Sequence, residues 1–464
     1  MDLRARDRAA FWHPCGQMRD YDEFAPLEVV AARGSRLRLA DGREVLDAIS
    51  SWWCKALGHG HPALLAALRA QAEAFEHVIT ANTTSAPLVR LCERLLAAAN
   101  GAGPEAWGAG APPGRSPGHF GKVFLADNGS TAVEIALKMA LQAQAQRGQG
   151  RRTRFAALAN GYHGETVATL SVGDADLYAS PYRALLFPVT KLGGLPYRSG
   201  PEDPRWMDAS AEWPAIERAL DGEAEALAAV VYEPVLQAAG EMRLYSPDLL
   251  SRLRRWADAR GVYLIADEIA AGMGRLGAML ASQLAEEALP DFATLSKGLT
   301  GGVLPLSAVL TTDAVASLFE SDWAEGRAFL HSNTYTGNAL GVAVANAVLD
   351  VFAADDVLGR VAAHGPALRG ALSELARARP DLPLGGVRGC GMMAALDLRG
   401  PGGAPLEPAR RTGYRVYREA VRRGVLLRPI GDTMYLFPPL VVDPADVREM
   451  VAVLEASVEA VTRP

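Results

Sequence analysis

Two hydrophobic patterns alternate along most of the chain. Short unbroken apolar runs at Val123–Ala126, Leu227–Tyr232 and Val262–Ala266 read as strands buried on both faces, as in a parallel sheet. Between such runs, apolar residues recur at helical spacing. Leu64, Leu65, Leu68, Ala72 and Phe75 share one stripe and Leu88, Leu91, Leu95 and Leu96 another, and the pattern Val133, Ile135, Ala136, Leu137, Met139, Ala140 reads as a third helix. A helix over 247–260 and strands over 262–266, 292–296 and 305–310 extend the alternation, which predicts one large α/β domain over residues 60–345. A long helix within 328–352 leads out of it. Helices over 357–378, 408–423 and 444–460, with strands over 392–398, 425–428 and 434–437, predict a small α+β domain over 346–464. Residues 1–59 hold a polar helix-like piece, the loop FWHPCGQM and two short strands about the Asp41-Gly42 turn, and are expected to join the small domain. The Gly/Pro-rich stretch 100–119 has no period and is expected to be an exposed loop.

Composition narrows the classes. The chain has 464 residues, 49% of them apolar, enough for a large core and more than one domain. A net charge of −6 without a basic block gives no footprint for nucleic acid. Cys15, Cys54, Cys92 and Cys390 are far apart and lack zinc spacing, so no metal is expected and free thiols in a reducing compartment are the simplest account. No apolar leader and no run long enough to cross a bilayer stands out, so a soluble cytoplasmic protein without a membrane partner is expected.

The chemistry concentrates at strand ends. The run 262–266 stops at Asp267 and Glu268, and a second short apolar segment runs into Lys297, followed by Gly298, Gly301 and Gly302. Open α/β sheets bind ligands at the carboxyl ends of their strands. A lysine and an aspartate there suit pyridoxal phosphate: the amine condenses with the aldehyde and the carboxylate keeps the pyridine nitrogen protonated. A salt bridge between the two is the plainer alternative. Strand, Asn128-Gly129-Ser130 turn and helix place free N–H groups and a hydroxyl at a helix start, an anion site or merely an ordinary N-cap. Tyr162, between glycines in Asn160–Gly164, suits stacking on a flat ring or capping the core. Trp52 and Trp53 adjoin glycines, so at least one is expected to line a cavity, with core packing as the alternative. Arg428 emerges from an apolar strand before a Pro-Ile-Gly turn, placed to grip a carboxylate or to form a surface ion pair.

Taken together, FWHPCGQM, AISSWW, FLADNGSTAVEIALKMA, NGYHGET, IADEIAAGMGR, LSKGLTGG, HSNTYTGN and LLRPIGD resemble the class III (fold type I) pyridoxal-phosphate aminotransferases from about residue 11 to 460. The WHP loop, the tryptophan pair and the LRP strand are similar to the branch that makes 7,8-diaminononanoate for biotin. The resemblance implies a fold type I transferase: a large domain with a mostly parallel central sheet covered by helices, plus a small α+β domain. It implies transamination of 8-amino-7-oxononanoate with S-adenosylmethionine, or lysine, as amino donor. Lys297 would hold the cofactor and shuttle protons, and Asp267 would bind the ring nitrogen with Glu233 in support. Gly129 and Ser130 would bind the phosphate, joined by Thr334 across a homodimer interface. Tyr162 and Ile269 would pack on the two faces of the ring. Trp52, Trp53, Cys15, Arg275 and Ser332 would line the substrate pocket, and Arg428 would hold the substrate carboxylate. Cys15 stands where better-known members carry a tyrosine, and Glu165, Ala271, Met273 and Ser332 also depart from their pattern, which leaves the donor open. The alternatives are an ω-amino acid or diamine aminotransferase using pyruvate or 2-oxoglutarate, and a cofactor-binding regulator without turnover.

Overall fold

A computed structural model describes residues 2–115 and 117–463. Its centre is a seven-stranded sheet. In chain order the strands are β1 (Phe120–Ala126), β2 (Arg154–Leu158), β3 (Thr190–Leu192), β4 (Leu227–Tyr232), β5 (Tyr263–Asp267), β6 (Phe292–Leu295) and β7 (Ser307–Thr312). Their spatial order is β1-β7-β6-β5-β4-β2-β3. Neighbours from β6 through to β3 are parallel, whereas β7 runs antiparallel to both β6 and β1. Strands β1 to β6 therefore all point one way, and their carboxyl ends share one edge. β4 and β5 are buried at every position, which explains their unbroken apolar runs. Helices cover both faces; α1 (Gly129–Gln146) packs on one of them beside β6 and β7.

Strands from both ends of the chain share a second sheet. Val29–Arg33, Arg36–Leu39 and Glu44–Asp47 pair in sequence, and Glu44–Asp47 then pairs in parallel with Val425–Leu426. A third sheet joins Leu384–Cys390, Met393–Leu398 and Thr433–Leu436. Helices Val357–Ala378 and Pro444–Thr462 pack together at this end of the molecule.

One expectation is corrected. The stretch 100–119 is not simply an exposed loop: Trp107 is among the largest fully buried side chains. Its indole N–H donates to Ala102 O at 2.9 Å, its carbonyl accepts from buried Arg94, and Arg94 also reaches Asp350 at 2.6 Å. A lone aromatic in a Gly/Pro-rich run carries no period, so the pattern could not reveal this anchor. Among the described residues no helix is long and apolar enough to cross a membrane, and no three His, Cys, Asp or Glu residues cluster as a metal site.

Candidate active site

The carboxyl edge of the sheet gathers most of the predicted residues. Asp267 is the last residue of β5 and pairs across the ladder with Thr294 of β6; Lys297 follows two residues after β6 ends. Glu233 follows β4, Tyr162 follows β2, and Gly129 and Ser130 open α1 just after β1. Adjacent parallel strands thus place these residues side by side despite separations of up to 168 in sequence between Gly129 and Lys297.

Lys297 lies part-buried, with Nζ 4.6 Å from the centre of the Trp53 ring. Burial lowers its proton affinity, against the pull of Asp267 and Glu233. Asp267 is 4% exposed. One of its oxygens lies 2.9 Å from His163 Nδ1; the other accepts from the Ile269 N–H at 3.1 Å. These partners orient the carboxylate without neutralising it through an arginine or lysine. Glu233 is buried and accepts from the backbone N–H of Tyr162 and of Ala238, at 2.9 and 3.0 Å. Desolvation still pushes its carboxyl up to about 7. Glu268 is also pushed up to about 7 by burial, but it accepts from Ala281 N, Ser282 N and the Ser282 hydroxyl, so it anchors the loop beyond β5.

The anion end is built on close approach. Asn128 caps α1 by accepting from Thr131 N at 3.0 Å, which leaves the Gly129 and Ser130 amides at the helix start. A Cβ on Gly129 would come within 2.8 Å of Ile269 Cδ1, so a glycine is what lets Ile269 pack here. Gly164, at φ +125°, lets the Asn160–Gly164 turn close onto Ser130.

The predicted substrate side divides. Trp53 is buried and donates from its indole to Tyr435 at 3.0 Å; Trp52 is half-exposed, with the Arg428 guanidinium 4.8 Å from its ring centre. Arg428 donates to Cys15 O at 3.0 Å and forms no ion pair among the described residues, so its charge is free for a ligand. Cys15 is exposed, and its thiol contacts Glu165 at 3.8 Å. Tyr162 donates to the same Glu165 oxygen at 2.9 Å and sits edge-on to Tyr178. From Cys15 and Arg428 a cavity of about 960 Å³ opens outward past Tyr178, Tyr21, Trp12 and Tyr414.

Arg275 is placed differently from expectation. It is 3% exposed, donates to Met392 O and Pro438 O at 2.7 Å each, and stacks 3.9 Å from the Phe437 ring centre. Burial lowers its pKa to about 9. Phe437 lies between Arg275 and Trp53, so Arg275 braces the aromatic wall from behind. Ser332 and Thr334 are exposed on the loop before helix Ala339–Ala354, beside β1, where Phe329 packs on Phe124. Sequence reasoning missed His163, Glu165 and Tyr178 as site residues. The first two lie within the quoted NGYHGET motif, but Tyr178 had no signal beyond its aromaticity.

A family model described as "Aminotransferase class-III" matches residues 17–458. The chain belongs to the class-III aminotransferases. It is 38% identical to the adenosylmethionine-8-amino-7-oxononanoate aminotransferase of Nitratidesulfovibrio vulgaris, over 99% of this chain and 82% of that one. It is 39% identical to the enzyme of the same name from Synechococcus elongatus, over 96% of this chain and 97% of that one. Among solved structures, the enzyme of that name from Methanocaldococcus jannaschii superposes with a TM-score of 0.87 at 30% identity, covering 99% of each chain. An amine transaminase from an uncultivated Pseudomonas species, in a PLP-bound form, gives 0.86 at 33% identity over 97% of this chain and 99% of that one.

The residues present fit pyridoxal phosphate. A part-buried amine of lowered basicity, a buried carboxylate fixed by His163, helix-start amides and a glycine that admits Ile269 meet at one edge. They are the four features that an aldehyde, a ring nitrogen, a phosphate and a flat ring require.

Proposed function

We propose that this aminotransferase holds pyridoxal phosphate and transfers an amino group to 8-amino-7-oxononanoate, forming 7,8-diaminononanoate, with S-adenosylmethionine as donor. The observation that carries this reading is near end-to-end likeness to relatives bearing that activity in their names, at 30–39% identity. The pocket supports it. The substrate is an apolar chain with one carboxylate; Trp52 offers apolar surface beside the unpaired Arg428, and Trp53 offers it beside Lys297. The donor carries a sulfonium, and aromatic faces attract cations.

When bound, the cofactor supplies a protonated pyridine ring that accepts the electron pair released at the donor's α-carbon. Asp267 would keep that ring nitrogen protonated. Lys297 would hold the cofactor through its amine and, once released, would serve as the base that takes the proton from the donor α-carbon. With the ketone at C7 as acceptor, the same amine would return the proton. Tyr162 and Ile269 would pack on the ring. Gly129 and Ser130 would hold the phosphate, and Thr334 of the partner subunit would complete that site in a homodimer. The exposed Trp323, Leu330 and Tyr335 around that loop supply apolar surface for such an interface.

Half-reactions test the reading. S-adenosylmethionine should bleach the visible band of the yellow enzyme, and 8-amino-7-oxononanoate should restore it. Bleaching by lysine alone would change the donor. Bleaching only by ω-amino acids, with recovery by pyruvate and not by the oxononanoate, would overturn the proposed substrate. Arg428→Ala should raise KM for the oxononanoate about 10–100-fold, because one charge-assisted contact is worth about 1.5–3 kcal/mol. KM for the donor should move far less; equal changes would remove Arg428 from the carboxylate.

A further inference from the structure

The two tryptophans stand on an unusual turn. Ser50, Ser51 and Trp53 have φ of 51°, 60° and 64°, and Ser51 pairs its positive φ with ψ −90°. Such angles are rare for residues with a side chain, and three among four consecutive residues need an outside restraint. One buried carboxylate supplies it. Asp47, with no exposure, accepts from Ile49 N at 3.2 Å, Ser51 N at 2.7 Å and the Ser51 hydroxyl at 3.1 Å, and lies 2.8 Å from His59 Nε2. His59 Nε2 is also 3.5 Å from the Ser51 hydroxyl, so the imidazole closes the group from the far side. This is not a nucleophilic triad: the serine hydroxyl faces the carboxylate directly.

The turn is tied to the lysine loop as well. Lys55 donates to Gly302 O at 2.8 Å, and a Cβ on Gly302 would come within 2.8 Å of Cys54 Sγ. The Ser50 hydroxyl donates to Phe437 O at 2.8 Å, which fixes the wall behind Trp53. A shift of the turn therefore moves Trp53 from Lys297 and Trp52 from Arg428 together.

We infer that Asp47, clasped by His59, is the positioning residue for both aromatic contacts of the site: it holds the Ser50–Trp53 turn in its left-handed form, so that Trp53 covers Lys297 and Trp52 carries Arg428. The inference rests on the proposed function only for the identity of the substrate.

The test uses the full-length holoenzyme and two independent readouts. Asp47→Asn removes the charge and turns an amide N–H toward donors. It should still bind pyridoxal phosphate, raise KM for the oxononanoate at least tenfold and lower kcat less. Alkylation of Cys54 by iodoacetamide, followed on its own peptide by mass spectrometry, should accelerate at least tenfold, because Cys54 closes the turn by donating to Ser50 O. Adding Ser51→Gly, which tolerates the observed angles without restraint, should recover part of both values. His59→Gln should move both in the same direction as Asp47→Asn but by less. Unchanged Cys54 labelling and KM in Asp47→Asn would overturn the inference. So would a double variant no better than the single one. If the unaltered enzyme does not use the oxononanoate, the substrate reading fails, and Cys54 labelling still decides the role of Asp47.

Discussion

Lys297→Ala should leave a folded protein that has lost its visible cofactor band and at least about 10⁴-fold of kcat, since proton transfer alone contributes about 10²–10⁴-fold and the covalent hold is lost with it. Neither neighbouring acid can stand in for Lys297. Asp267 and Glu233 are committed to His163 and to backbone amides, and the lysine amine faces the Trp53 ring. Turnover at the unaltered rate would sink the assignment. A stability comparison on the apoenzyme gives a second check. Burial depresses the pKa of Lys297, so the folded state prefers its neutral form. Its favourable share of stability is present above the ordinary lysine pKa and is lost as pH falls through the depressed value. Lys297→Met, which keeps the volume and drops the charge, should therefore be relatively more stable than the unaltered apoenzyme at neutral pH, and the advantage should vanish at strongly alkaline pH. Equal denaturation midpoints at both pH values would show that the amine is not desolvated.

Much of this site was legible because its residues sit where strong patterns stop. Unbroken apolar runs mark β4 and β5, and the first polar residue after each is Glu233 or Asp267. Which residues share an edge was also accessible, since parallel strands align their carboxyl ends. The reversal of β7 was not, because the short apolar core Ala308–Leu310 of Ser307–Thr312 carries no sign of strand direction. Arg275 was misplaced for a related reason. An arginine after a glycine-rich turn gives no sign that Met392 and Pro438, more than a hundred residues on, present two carbonyls to it. Trp107 hid in a glycine-rich run, where periodicity has nothing to count. Asp47 lies within the expected hairpin, but its function depends on positive φ at three residues that are not glycine. Propensity argues against that conformation, so only the folded chain reveals it.

Asp267→Asn should lower kcat by on the order of 10²–10³-fold, the usual loss when one preorganised electrostatic partner is removed from a dry site. The substitution keeps the shape and the Ile269 N–H contact but takes away the negative charge. Glu233 cannot replace it, because its carboxyl is pushed up to about 7 and both its oxygens already accept backbone amides. His163 cannot either, since its Nε2 is buried with no hydrogen-bond partner among the described residues and offers no anion. The loss should be specific to the ring nitrogen. Reconstituting the variant with an N1-methylated cofactor, whose ring is cationic without help from the protein, should restore part of kcat, whereas the same cofactor should do nothing for Lys297→Ala. Recovery in both variants, or in neither, would mean that Asp267 acts on packing and not on the charge of the ring. Recovery in Asp267→Asn alone would divide the labour, assigning the fixed anion to β5 and the mobile base to the loop after β6.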